Sequence, residues 1–524
     1  YNTKIIEFID ISHPDGMRTY QRSLTFLLQK AIRDVLPGRN LHVEHSVSKG
    51  WYCEITNGKD HPEINEINAI ERRMRELVKL DLPFVKKKIP TSEAIQVFEK
   101  EGYDQKALLQ KTRARFFTSV YYLDGTPDHF YGPLVPSTGC LQTFGLFSYY
   151  HGVLLLFPRS DDYKSLEQIV VQNKMFEIFQ EHKDWNSILG VKGIGSINHA
   201  IQLGEGLKLI QVNEALHEKK YAHIADMIAA KHETIKLVLI AGPSSSGKTT
   251  TSKRLAIQLK VAKVNPVVIE LDNYFVDREH TPLDEHGEYD FEHLHALDLE
   301  FFNQQMTDLL AGKEIELPKF DFTQGKRIMS GNFIKIHEND VVIMEGIHAL
   351  NPELTKDIPD DQIFRIYASA LTSVAVDENN RIPTTDNRLI RRIVRDAQFR
   401  GYSATDTIRR WKSVRRGEDR NIFPYQENAD IMFNSSLLYE LSVLRRYVEP
   451  LLRKVPHTEP EYAEALRLIK FISYFEPMSL ADEMLIPPTS VIPGADTHRR
   501  AHETSLHLVC RRQHVKKKDC TKHT

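Results

Sequence analysis

The sequence predicts an α/β fold over its second half, a parallel sheet with helices on both faces, preceded by an α+β domain. Three observations carry this. Gly242–Thr249 reads GPSSSGKT; it follows a short apolar strand, Lys236–Ala241, and opens a helix running to about Lys260. Further apolar runs at Val267–Leu271, Asp340–Glu345 and Phe364–Tyr367 alternate with helical stretches, the order of a parallel sheet covered on both faces. The first 160 residues mix helix and strand patterns without that alternation.

The elements follow in order. Arg22–Val35 has helical spacing, with Leu24, Leu27, Leu28, Ala31 and Ile32 on one face. Trp51–Ile55 reads as a strand. Residues 64–80 read as an amphipathic helix with Ile64, Ile67, Ile70, Met74 and Leu77 inward. Ser92 is a good N-cap for the helix EAIQVFEKEG, which Gly102 ends. Phe116–Leu123 and Gly152–Phe157 read as strands around a Gly/Pro/Ser-rich turn region at 132–139. Helices follow over 165–234, including Asn213–Lys231, and again over 437–475. The expected divisions are an α+β domain at 1–164, a helical connector at 165–234, the α/β domain at 235–455, a helical segment at 456–490, and a basic, disordered tail at 491–524.

The bulk numbers fit this plan. A chain of 524 residues suits about three domains, or two large ones. A net charge of -2 gives no global pull toward nucleic acid or membranes. Cys53, Cys140, Cys510 and Cys520 form no CxxC pair, so neither a disulfide framework nor a zinc knuckle is expected, and a reducing cytoplasm fits. No apolar run reaches the roughly 18 residues of a membrane span. The start, YNTKIIEFIDIS, reads as neither a signal nor a transit peptide and lacks an initiating Met.

The chemistry concentrates in the second half. In G-x-x-x-x-G-K-[ST], the backbone N–H groups of Gly242, Pro243, Ser244, Ser245, Ser246 and Gly247 (Pro243 excepted, having none) can face a phosphate. Lys248 can reach the β- and γ-phosphates of ATP, Thr249 can offer a hydroxyl to Mg²⁺, and Thr250 continues the first helical turn. The helix N-terminus adds its positive end. Asp272 ends the second strand, in IELDNYF, where a carboxylate can accept the proton of an attacking hydroxyl. A capping Asp is the plainer reading. Glu345 ends the third strand, in VVIMEGIHAL, a place for a Mg²⁺ contact or a solvated acid. Residues 381–420 hold 12 Lys/Arg against 5 Asp/Glu; Arg391, Arg392, Arg395 and Arg400 are spaced to project from one side as a phosphate lid. A solvated basic face or a nucleic-acid patch are the alternatives. His42 and His45 form H-x-x-H in a segment without helical character and read as a solvated pair.

The pieces GPSSSGKT, LDNYF, PKFDF, VVIMEGIHAL, RLIRRIVRDAQFRG and ADIMFNSS, in this order over about 235–450, resemble the uridine kinase/phosphoribulokinase family of P-loop kinases. LTFLLQKAI, YGPLVPSTGC and ALHEKKYAHIADMI fit its longer members, in which a domain similar to the threonyl-tRNA synthetase editing (second additional) domain precedes the kinase. The resemblance implies transfer of the ATP γ-phosphoryl group to a primary hydroxyl of uridine or a related nucleoside, with Mg²⁺. It implies Asp272 as catalytic base, Lys248 and Thr249 as ATP and Mg²⁺ residues, and Arg392, Arg395 and Arg400 as lid arginines. Tyr274, Phe320 and Arg392 are the implied acceptor contacts beside Asp272. Phe320 stands where short uridine–cytidine kinases have a pyrimidine-contacting Tyr, and Gly325 where they have a base-reading His; Tyr402 and Arg410 replace further Arg and Gln contacts. The helix RSLTFLLQKA lacks the H-x-x-x-H pair of the editing domain, so binding or assembly is expected of the front domain rather than hydrolysis. From Val491 the chain departs from the longer kinases. A phosphoribulokinase-like sugar-phosphate kinase and a nucleotide-gated RNA-binding regulator with weak kinase activity stay open, the latter through the N-terminal domain, as does a homo-oligomer.

Overall fold

The computed structural model describes residues 8–58, 61–284, 287–321 and 324–492. Its contacts divide the chain into two units. The first takes the chain up to Gly204 together with Thr372–Pro383 and Lys470–Glu476; the second takes Glu205–Leu371, Thr384–Ile469 and the residues from Pro477 on. No described helix is long and apolar enough to cross a membrane.

The first unit contains α1 (Pro14–Val35), β1 (Asn40–Val47), β2 (Gly50–Thr56), α2 (Ile64–Lys79), β3 (Val85–Pro90), α3 (Thr91–Lys100), α4 (Asp104–Lys111), β4 (Phe117–Leu123), β5 (Thr126–Asp128), β6 (Gly145–Tyr149), β7 (Gly152–Leu156), α5 (Asn173–Ile188) and α6 (Ile194–Gln202). Two antiparallel sheets result, ordered β1-β2-β7-β6 and β3-β4-β5. The apolar faces expected of α1 and α2 form one core, Leu24, Leu27, Leu28, Ala31 and Ile32 meeting Ile67, Ile70, Met74 and Leu77 over the first sheet. Ile64 is the exception: it opens α2 and is exposed. Helix α1 begins eight residues before Arg22, because Pro14 supplies the fixed φ of a first turn and the His13 ring accepts the Asp15 N–H. Ser92 is no cap; α3 starts one residue earlier, after Pro90. His45 is not solvated. It is buried and stacks on Phe179 at 3.9 Å, and burial lowers its pKa to about 3, so the ring is neutral. His42 stays half-buried beside Glu44.

This unit also buries charge. Lys106, on α4, is fully buried, and its ammonium lies 3.0 Å from both Asp128 and Asp377 and 2.5 Å from Asn379 Oδ1. The Glu378 carboxylate accepts the first-turn N–H groups of Gln105 and Lys106 at 2.7 and 3.2 Å, capping α4. Burial alone would lower the Lys106 pKa, but Asp128 and Asp377 outweigh it and raise it. The segment 372–383 is thereby fixed by groups that water cannot replace.

The second unit contains α7 (Gly206–Ala229), β8 (Leu237–Ala241), α8 (Lys248–Val261), β9 (Asn265–Glu270), α9 (Leu299–Leu310), β10 (Ile315–Asp321), β11 (Lys326–Ile334), β12 (Asp340–Glu345), β13 (Ile363–Ser369), α10 (Thr384–Phe399), α11 (Ala404–Asn421), β14 (Ile431–Asn434), α12 (Glu440–Leu452), the start of α13 (Tyr462–Ile472) and α14 (Leu480–Glu483). Five strands pair in parallel in the order β14-β13-β8-β12-β9. Continuous apolar runs such as LVLIA suit strands covered on both faces; β8 is fully buried, with Val238 and Ile240 in one core with Leu255, Val341 and Ile366. The chain runs from β8 past β12 to β9, then returns to the other side of β8 at β13, so the sheet's order reverses at β8. Ligands of such sheets bind at the carboxyl ends of the strands at this point.

Two local findings matter for the site. Strand β9 stops at Glu270, so Asp272 lies in the 3₁₀ turn Leu271–Tyr274 and not in the strand. Val491 and Ile492, expected to open an unpacked tail, are buried; the Ser490 hydroxyl donates to Glu214 at 2.6 Å, and a Cβ on Gly247 would stand 3.5 Å from Val491 Cγ1. The rest of the basic tail lies outside the described residues.

Removing one partner of a buried ion network leaves the others uncompensated, at about 3–5 kcal/mol. Lys106→Ala should lower unfolding free energy by roughly that amount. Urea denaturation followed by a signal from the first unit checks it, and a loss under about 1 kcal/mol would show that the network carries little.

Candidate active site

A loop can bind phosphate with its backbone only if its N–H groups turn inward and its carbonyls turn away. Here the carbonyls of Gly242, Pro243, Ser244, Ser246 and Gly247 accept from protein donors, but two N–H groups expected to face a phosphate are turned to protein instead: that of Ser244 donates to Glu418 Oε1 at 2.9 Å and that of Ser246 to Pro243 O at 3.2 Å. Lys248 Nζ donates to Gly242 O at 2.9 Å and Pro243 O at 3.4 Å. Arg388 Nη1 donates to Ser244 O at 3.1 Å, the Ser435 hydroxyl to Ser246 O at 2.5 Å, and the Thr251 N–H to Gly247 O at 2.9 Å. Ser245 and Gly247 are left-handed, at φ 60° and 86°, which gives the loop its concave turn and lets Gly247 serve as the N-cap of α8. Thr250 lies in the first turn of α8.

Around the loop stand the acids. Thr249 Oγ1 donates to Glu345 Oε1 at 2.5 Å, so these two expected metal residues meet at the ends of α8 and β12. Asp272 is exposed, yet enough protein surrounds its carboxylate to hold its pKa up at about 6; poor solvation is the main cause and the Glu345 charge the next, while Lys248 and Arg400 pull it back. Glu292 is a carboxylate that sequence reasoning missed. It is half-buried, and its pKa is raised to about 7 by poor solvation and then by Glu418, with Arg392 and Lys248 opposing. It sits in the loop before α9, in FEHLHALD, which carries no periodicity or glycine signature to mark it.

The arginines divide into two groups. Arg392, Arg395 and Arg400 converge on one carboxylate, Asp396, at 3.2, 3.1 and 3.5 Å. Arg392 Nη1 also donates to Ser244 Oγ at 2.7 Å. Burial, then the neighbouring Arg400 charge, lowers the Arg395 pKa to about 10. Arg391 does not join them. It is buried and donates to Glu440 and to Ser435 O, because one helical position turns it by about 100° from Arg392. Arg388, Glu418, Ser435 and Glu440 support the loop from behind; Arg388 and Ser435 fall within RLIRRIVRDAQFRG and ADIMFNSS, whereas Glu418 and Glu440 carry no motif signal.

The expected acceptor contacts separate as well. Tyr274 is fully buried, its hydroxyl donating to Gln305 at 3.0 Å, so it braces the turn of Asp272 from inside and offers nothing to an acceptor. Phe320 is mostly buried and packs edge-on against Phe275 at 5.7 Å, and its N–H donates to Asn273 Oδ1 at 3.3 Å. Gly325 is left-handed at φ 69°, and a Cβ there would stand 2.8 Å from the Arg278 guanidinium carbon. Tyr402 lies under the Arg410 guanidinium at 4.4 Å.

A parallel sheet, a phosphate loop at its reversal point, an acid facing the loop lysine and a basic helix define a P-loop kinase. Residues 237–439 match the Phosphoribulokinase / Uridine kinase family. A uridine kinase of Ligilactobacillus salivarius is 33% identical over 197 residues, covering 37% of this chain and 83% of that protein. One of Limosilactobacillus reuteri is 30% identical over 223 residues, covering 42% of this chain and 93% of its own. A solved structure of a possible uridine kinase from Bacillus stearothermophilus aligns at a TM-score of 0.29 and 19% identity, over 41% of this chain and 98% of that one. The chain belongs to the phosphoribulokinase/uridine kinase family and is an ATP-dependent kinase of a small metabolite.

A base with a pKa near 6 must be ionised to act, so kcat/KM should fall about tenfold per pH unit below 6 and level off above it. Asp272→Asn should abolish that limb and slow transfer by roughly 10²–10⁴-fold while ATP binding persists. A pH–rate profile with direct nucleotide binding checks both. Arg395→Ala and Arg400→Ala should lower kcat more than they raise the acceptor KM, since developing phosphoryl charge is what they meet. Steady-state kinetics read the split, and RNA binding lost with turnover intact would point to a nucleic-acid surface.

Proposed function

We propose that this kinase transfers the γ-phosphoryl group of ATP to the 5′-hydroxyl of a nucleoside, uridine or one close to it. The observation that carries the reading is Asp272, an exposed carboxylate in the turn that follows β9 at the carboxyl edge of the sheet, within electrostatic reach of Glu345, Lys248 and Arg400. Asp272 takes the proton of the acceptor hydroxyl as that oxygen attacks the γ-phosphorus. The bond to the β–γ bridging oxygen breaks in line, and ADP leaves. Lys248 gives up its loop carbonyls for the β- and γ-phosphates, and Arg392, Arg395 and Arg400 meet the charge spreading over the transferred group. The oxygen donors of Thr249 and Glu345 suit Mg²⁺, a hard cation, which when bound neutralises phosphate charge. The names of the relatives, uridine kinases, support the acceptor class. For the first unit we propose an editing-like fold used for binding or assembly; the helix Pro14–Val35 carries no histidine, which argues against a histidine-based hydrolase.

Phe320 is buried against Phe275 and Gly325 has no side chain, so neither supplies a hydrogen-bonding partner where a base would need one. Discrimination among bases is therefore expected to be weak. The test is kcat/KM for uridine, cytidine, adenosine, guanosine and ribulose 5-phosphate side by side. Nucleosides within about 10² of one another, ahead of the sugar phosphate, are the expected outcome. A preference above about 10⁴ for uridine would show hydrogen-bonding readout by other residues, and a dominant ribulose 5-phosphate rate would replace the nucleoside reading.

A further inference from the structure

Ser244 is gripped at both of its backbone groups. Its N–H donates to Glu418 Oε1 at 2.9 Å, and its C=O accepts from Arg388 Nη1 at 3.1 Å. The two side chains also hold each other in a forked ion pair, Nη1 to Oε1 at 2.5 Å and Nη2 to Oε2 at 2.7 Å, and each side chain is only 1% exposed. Arg415 Nη1 donates to the second Glu418 oxygen at 2.9 Å. A fork on a carboxylate is complete in itself. Here its remaining donor and acceptor capacity is spent on opposite sides of one residue of the phosphate loop.

We propose that Arg388 and Glu418 are positioning residues for phosphoryl transfer, which set the phosphate loop in its binding shape before ATP arrives. Neither acts as an acid, base or nucleophile. Arg388 keeps the Ser244 carbonyl, a partial negative charge, turned away from the place where the phosphates lie. Glu418 fixes the preceding peptide, so the left-handed step at Ser245 follows from a defined start. Because Arg388 belongs to α10 and Glu418 to α11, the same grip sets the register between the loop and Arg392, one turn along α10, whose guanidinium reaches Ser244 Oγ at 2.7 Å. Loop and basic helix are thus held as one piece, so that the arginines stand ready for the γ-phosphate without a separate ordering step. A buried ion pair is weak evidence for stability; what assigns this one a role in the reaction is the loop peptide threaded between its partners.

In the nucleotide-free state the Ser244 amide should exchange with solvent deuterium at least about 100-fold more slowly than a free amide, because its acceptor is already in place. Exchange at the free rate overturns the proposal whatever the variants do. Arg388→Lys retains a charge for Glu418 but cannot reach the carboxylate with two nitrogens and the carbonyl together; it should keep its Tm near wild type while the Kd for ATP rises about tenfold. Arg388→Met with Glu418→Met removes both charges at once, avoiding an orphaned partner, and should weaken ATP binding at least as much. In both, the acceptor KM should stay within about twofold of wild type. Calorimetric titration with ATP and a nucleoside read these values. A folded variant with an unchanged ATP Kd, or one in which ATP and acceptor affinities fall together, would make the pair a plain structural bond and end the proposal.

Discussion

The structure of the second unit depends on one requirement of the phosphate loop: its carbonyls must find donors within the protein. A buried backbone acceptor without a partner costs about as much as a lost hydrogen bond. Between Gly242 and Gly247 the partners come from three sources: the loop's own lysine, the helix that follows, and Arg388 and Ser435 from distant parts of the chain. The last two explain why α10, α12 and the end of β14 gather behind the loop. Arg391 ties Ser435 to Glu440 of α12, and Arg388 ties Ser244 to Glu418 of α11.

The same neighbourhood drives its carboxylates apart. Asp272 and Glu292, both within reach of the Lys248 charge, are raised, to about 6 and about 7, whereas Glu418 is lowered. Burial pushes all three up. Glu418 alone has Arg388, Arg415 and the Ser244 N–H against it, and these outweigh its burial. A carboxylate so held is fixed in charge and geometry, fit to position other groups. A carboxylate with few hydrogen bonds and a pKa near neutral can take up and release a proton at physiological pH. Roles in the site therefore divide by hydrogen bonding more than by depth.

The first unit uses buried charge differently. Around Lys106 the acids come from Asp128 and from the segment 372–383, which is remote in sequence. Nothing there opens to a cleft, and Lys106 is held charged by close partners. The consequence is specificity of docking: an apolar segment could settle in several registers, but Asp377, Glu378 and Asn379 each have one place to go.

How much of this was legible depended on the range of the signal. GPSSSGKT announced strand, loop and helix together, since a phosphate loop is local and its glycine and lysine are needed at fixed steps. Asp340–Glu345 was readable to the residue because a strand covered on both faces is a continuous apolar run. The faces of α1 and α2 followed from period alone, apart from Ile64. The sequence could not say that Arg391 turns inward while Arg392 turns to the loop, since both fit a basic helix and only the packing of α12 separates them. Nor could it show that Tyr274 faces the core, that Glu292 comes within reach of the Arg392 and Lys248 charges, or that Glu418, one acid among many arginines, holds a loop 174 residues away. The amino-acid order determined the strand–loop–helix outline of the site, because a phosphate loop needs its glycines, lysine and threonine at fixed steps, while the loop's backbone also takes partners from Arg388, Glu418 and Ser435 far along the chain. The tertiary structure decided which charges face the substrate and which hold the scaffold, because that depends on what lies opposite each side chain, and the opposing residues are far away in the sequence.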